Sequence, residues 1–105
     1  MSDFITVAAV DDIEPGYAIV VEVDGRGIAL ARLADGSFRA IDDLCTHDGG
    51  PLGEGEVIDG RIECPRHGAH FDLTTGRAVT LPAVVGVKAY EVRVEGDSVQ
   101  VRFGD

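Results

Sequence analysis

The chain reads as an all-β protein, and three observations point that way. Apolar and charged residues alternate in short runs, most clearly in Tyr90-Glu91-Val92-Arg93-Val94. Turn signals separate the runs: Asp24-Gly25-Arg26-Gly27, Asp35-Gly36, Asp59-Gly60 and Glu95-Gly96-Asp97. Finally, 14 glycines among 105 residues suit many tight turns better than helices.

Taken in order, residues 4–7 are predicted to form the first strand, followed by a turn-rich connection over 11–16. Its residues 11–14 are the one helical candidate, a single turn. Residues 17–23 and 28–33 are predicted to flank the first hairpin turn, and 38–41 follows the second. Further on, 56–58 and 61–63 flank Asp59-Gly60. Residues 87–94 read as one long strand and 99–103 as the last. The length suits one domain with a modest core.

The net charge of −10 argues against nucleic acid or an anionic membrane surface as partner, since both repel it. No apolar run approaches the roughly 20 residues that cross a bilayer, and Met1 to Val10 carries no basic leader region. These features lead us to expect a soluble, cytoplasmic protein.

The chemistry concentrates in two short segments. Cys45-Thr46-His47 and, after 16 intervening residues, Cys64-Pro65-Arg66-His67 contain both cysteines and two of the three histidines. Each segment supplies one sulfur and one ring nitrogen. Two thiolates with two imidazoles form the donor set of a 2Fe–2S centre in which two Cys hold one iron and two His the other. A disulfide needs no histidines beside it, and a reducing cytoplasm disfavours one. A tetrahedral zinc module built on two Cys and two His is the other metal reading. Zinc sites favour Cys-Cys and His-His pairs, however, and here each segment mixes the two.

With Gly49, Pro65, Gly68 and Phe71-Asp72 beside the four ligands, the sequence resembles the Rieske family. The resemblance implies an antiparallel β-sandwich base, approximately residues 1–43 and 77–105. A small cluster-binding subdomain, approximately 44–76, is inserted into it. That insert holds seven of the 14 glycines. By the same resemblance, Cys45 and Cys64 bind one iron and His47 and His67 the other, and Gly49, Gly50 and Gly68 bring backbone amides to the sulfides. Pro82 matches the family's proline loop, and His70 is a surface or packing residue rather than a ligand.

Four positions set the chain apart within the family. Where high-potential members have a hydroxyl-bearing Ser and Tyr, this chain has Ala69 and Phe71. Where they have an extra disulfide, it has Gly50 and Arg66. Hydrogen-bond donors favour the more negative reduced state, so their loss lowers the potential. The expected midpoint is on the order of −150 mV, the low end for such centres.

The resemblance implies a one-electron carrier rather than an enzyme. It would take electrons from a flavin-dependent ferredoxin reductase and pass them to a terminal oxygenase of the aromatic-ring-hydroxylating kind. A mononuclear iron site of two His and a carboxylate cannot be assembled beside the cluster from three histidines. Service to nitrite reductase or to iron–sulfur assembly is the alternative, and an adaptor that has lost its cluster is disfavoured by the complete ligand set. A monomer is expected. Between Asp42 and Glu63 stand seven acids (Asp42, Asp43, Asp48, Glu54, Glu56, Asp59, Glu63) against one base, Arg61, which suits a partner with a basic face.

Overall fold

In the computed structural model, residues 4–23, 25–43, 55–63, 70–79 and 86–102 are described. Among them, ten strands form three antiparallel sheets. The first sheet has the order β1-β10-β9, from β1 (Phe4–Ala9), β10 (Ser98–Arg102) and β9 (Val92–Glu95). The central sheet is β2-β3-β4-β8, from β2 (Ala18–Val23), β3 (Arg26–Arg32), β4 (Phe38–Asp42) and β8 (Ala89–Tyr90). The third is β5-β6-β7, from β5 (Val57–Ile58), β6 (Arg61–Glu63) and β7 (His70–Asp72).

Strand β3 explains the layering. Its Ile28, Ala29, Leu30 and Ala31 are all fully buried, so both of its faces are covered. Side chains alternate across a strand, which sends Ile28 and Leu30 one way and Ala29 and Ala31 the other. Ile28 and Leu30 join Ile13, Phe38, Ala40, Tyr90, Val99 and Val101 in a core against the first sheet. Ala29 and Ala31 join Ile41, Ile62, Phe71 and Leu73 in a second core against the third sheet. The central sheet is therefore shared by two layers, and a continuous apolar run replaces simple alternation along β3.

Several sequence expectations are refined. The first hairpin pairs Val23 with Arg26, so Arg26 and Gly27 belong to β3 and the turn is two residues long, not four. Two-residue turns match the twist of the flanking strands, and Gly25 supplies the positive φ of +79° that such a turn needs. The stretch 87–94 is not one strand. It breaks at Glu91, with β8 pairing β4 in the central sheet and β9 pairing β10 in the first. Alternation places Tyr90 and Val92 against the core while Val94 is exposed, and it could not show that the chain changes sheets at Glu91. Strand β7 carries only three residues and escaped the sequence pattern. The helical turn is a 3-10 turn at Val10–Asp12, one residue earlier than read. No helix among the described residues is long and apolar enough to cross a membrane.

Candidate cluster-binding site

Cys45, His47, Cys64 and His67 lie outside the described residues, as do Gly49, Gly50, Pro65, Arg66, Gly68, Ala69, Pro82, Asp48 and Glu54. What the structure shows is the framework from which their segments depart.

Cys64 and His67 belong to the connection between β6 and β7. These strands are antiparallel, with Arg61 opposite Asp72, Ile62 opposite Phe71 and Glu63 opposite His70. The connection 64–69 thus leaves and returns at one cross-strand pair. A hairpin neck of this kind holds both ends of its loop a strand spacing apart, which suits delivery of two ligands from one short segment. At the neck, His70 Nε2 lies 3.3 Å from Glu63 Oε2, both side chains partly exposed. His70 thus stands in β7 with its partly exposed ring facing Glu63 across the neck. The other side of the sheet is anchored by Ile62 and Phe71, both fully buried.

Behind β7 the chain makes a tight turn ordered by Asp72. Its Oδ1 accepts the backbone N–H of Thr74 at 2.8 Å and of Thr75 at 3.0 Å, while Gly76 N–H donates to Asp72 O at 2.7 Å. Gly76 then meets the segment returning to β8: Val87 N–H donates to Gly76 O at 2.7 Å. A Cβ on Gly76 would fall 2.0 Å from Val87 O, and its φ is +80°, so only glycine fits. The Phe71-Asp72 pair thus has two separate duties, one in the core and one in the turn. Sequence reading missed Gly76; its signal was a glycine closing Asp72-Leu73-Thr74-Thr75.

The first ligand segment follows β4, whose end is also fixed. Asp42 N–H donates to Lys88 O at 2.9 Å and Asp43 N–H to Gly27 O at 3.1 Å. Tyr90 Oη donates to Asp42 Oδ1 at 2.6 Å and accepts from Arg26 Nη1 at 3.0 Å. Burial, and then the carboxylate beside it, raise the Tyr90 phenol above its ordinary value, while Arg26 opposes this. Tyr90 was not singled out in the sequence, because residues 26, 42 and 90 share no local pattern.

Of the acids noted in sequence, Asp42, Asp43 and Glu63 are partly buried and Glu56 and Asp59 are exposed. Glu63 N–H donates to Glu56 O at 2.9 Å, which sets the two residues side by side across β6 and its neighbour. With Val57, Ile62 and Phe71 turned toward the core, alternation turns Glu56 and Glu63 outward.

A double-layered base with two short segments of mixed Cys and His, one leaving a strand end and the other closing a hairpin, defines an iron–sulfur electron-transfer module. The Rieske [2Fe-2S] domain family matches residues 3–91, and the chain belongs to it. It is 36% identical over 101 residues to the ferredoxin component of naphthalene 1,2-dioxygenase/salicylate 5-hydroxylase systems of Ralstonia sp., covering 96% of each chain. The ferredoxin of carbazole 1,9a-dioxygenase from Nocardioides aromaticivorans IC177 superposes with a TM-score of 0.87 at 36% identity, covering 96% of this chain and 98% of that one. A chain in the complex of reduced oxygenase and oxidized ferredoxin in carbazole 1,9a-dioxygenase also gives 0.87, at 32% identity over 97% of this chain and 94% of that one. The cofactor is one Rieske-type 2Fe–2S cluster, and the donor set of two thiolates and two imidazoles fits it.

Proposed function

We propose that this chain is a cytoplasmic, monomeric one-electron carrier, reduced by a flavin-dependent ferredoxin reductase and oxidised by a terminal oxygenase. Residues 44–76 form its cluster-binding subdomain. In this reading Cys45 and Cys64 hold one iron and His47 and His67 the other. When bound, the cluster supplies a reversible one-electron couple. The chain's own residues hold it, exclude water from its inner side, and present its outer side to a partner. The observation that carries the reading is the complete Cys-x-His and Cys-x-x-His set in a chain alike end to end to dioxygenase ferredoxin components.

Asp42, Asp43, Glu56 and Glu63 lie on the strands that lead into the ligand segments or beside them, which supports docking against a basic face. The test is stopped-flow reduction by a flavin reductase and reoxidation by an aromatic-ring oxygenase, repeated with a nitrite reductase. Rapid turnover with the oxygenase pair, slowing as salt rises, is the expected result. Transfer only to the nitrite reductase, or rates indifferent to ionic strength, would overturn the partner or the docking reading respectively. Replacement of His47 or His67 that left the visible spectrum unchanged would remove the ligand assignment.

A further inference from the structure

We infer that Arg26, Tyr90 and Asp42 form a positioning chain that fixes the point from which the first ligand segment leaves the base. This rests on the reading of Cys45 as a ligand, three residues after Asp42.

The three residues come from three strands: Arg26 opens β3, Asp42 closes β4 and Tyr90 closes β8. Asp42 is opposite Ile28, and Ala40, two residues before it on the same face, is opposite Tyr90. That register places the phenol alongside Asp42, where its hydroxyl reaches the carboxylate at 2.6 Å. Arg26 donates to the same hydroxyl at 3.0 Å, so the phenol transmits positive charge toward the carboxylate. Tyr90 is 7% exposed, and Lys88 Nζ sits 5.1 Å from its ring centroid. Lys88 O also accepts the Asp42 N–H, so the strand end is held through both backbone and side chain.

Beside the chain is an open pocket of about 440 Å³ lined by Arg26, Gly27, Asp42, Asp43 and Lys88. Water there competes for a lone carboxylate hydrogen bond. The buried phenol gives Asp42 a partner whose position is set by core packing and not by a mobile surface side chain. Groups hydrogen-bonded to metal ligands commonly change metal affinity by about tenfold or more when removed, which sets the scale for a support one step further out.

The test uses the cluster-loaded protein, read by cluster release to an iron chelator and by the EPR spectrum of the dithionite-reduced form. Tyr90→Phe and Asp42→Ala are each expected to speed release about tenfold and to broaden the EPR lines. Asp42→Asn keeps an acceptor oxygen and is expected to restore most of the difference. Because the residues act as one chain, the double variant should lose little beyond either single one. Should Tyr90→Phe fail to fold, Arg26→Gln, at an exposed position, is expected to move both readouts in the same direction. Release and EPR identical to the parent, or strictly additive effects, would overturn the inference. Cys45→Ser separates the two levels: a parent-like spectrum in that variant means Cys45 is not a ligand, whereas its loss beside unchanged Tyr90→Phe defeats the positioning role alone.

Discussion

The two faces of the central sheet are packed by different means. Toward the first sheet it presents Ile28, Leu30, Phe38 and Tyr90, met by Val99 and Val101 from a five-residue strand. Toward the third sheet it presents Ala29, Ala31 and Ile41, and the bulk comes from Ile62, Phe71 and Leu73 on the other side. The third sheet's strands are only two or three residues long. Such short strands are marginal without outside support. One face is thus a self-sufficient core. The other is a socket whose alanines admit Phe71, and the short strands that fill it are expected to need further ties.

The sharpest way to break this contrast is to remove the cluster. Apo-protein is expected to lose amide protection in β5, β6 and β7 while β3 and β10 keep theirs, as hydrogen exchange would show. Uniform loss across all three sheets would mean one cooperative unit instead.

Next in size is Phe71→Ala, expected to cost about 3–5 kcal/mol in denaturant unfolding and to weaken cluster retention. Leu30→Ala, in the other core, is expected to cost about 2–5 kcal/mol while leaving the visible spectrum of the folded protein intact. Equal spectral damage from both would erase the distinction between the faces.

Gly76→Ala tests the tie between the third sheet and the return to β8. Its positive φ alone should cost about 1 kcal/mol or more, and the contact with Val87 O adds to this. Thermal unfolding measures it; a melting temperature unchanged by the substitution would show that the close approach is easily relaxed.

A subtler change sharpens the electronic side. Ala69→Ser and Phe71→Tyr each add a hydroxyl and are expected to raise the midpoint potential, measured by redox titration. If neither moves it, positions 69 and 71 do not set the potential.

The smallest expected effect concerns alkaline stability. The folded state raises the Tyr90 phenol above 10.0 and so holds its proton more tightly than the unfolded chain does. That contribution is complete below about pH 10 and is lost as pH climbs through the folded value. Tyr90→Phe should therefore flatten the alkaline fall in stability, and an unaltered pH profile would count against burial, and then the Asp42 carboxylate, as causes of the raised phenol.

Much of this architecture was legible in the residues. Asp59-Gly60 announced its hairpin, where both residues have positive φ, +50° and +77°. The alternating run at the C-terminal end announced strands, and the Cys and His spacing announced the metal. What escaped is instructive. Strand β7 has three residues, too few for a period to declare itself, and it exists because β6 pairs with it. The break at Glu91 left no mark, because its alternation suits either sheet. Gly76 looked like any loop glycine until Val87 O was placed beside it.

Local chemistry by itself determined that this is a β protein of the Rieske [2Fe-2S] family, with two Cys and two His at the spacing proposed to hold the cluster. Turn residues and metal donors act within a few positions of one another, so the sequence states them directly. Which face of β3 meets which sheet, why Gly76 admits no side chain, and how Arg26, Asp42 and Tyr90 come together were decided only by the tertiary structure. The Arg26–Tyr90 contact alone joins residues 64 positions apart. Their partners are chosen by packing, and no local pattern encodes it.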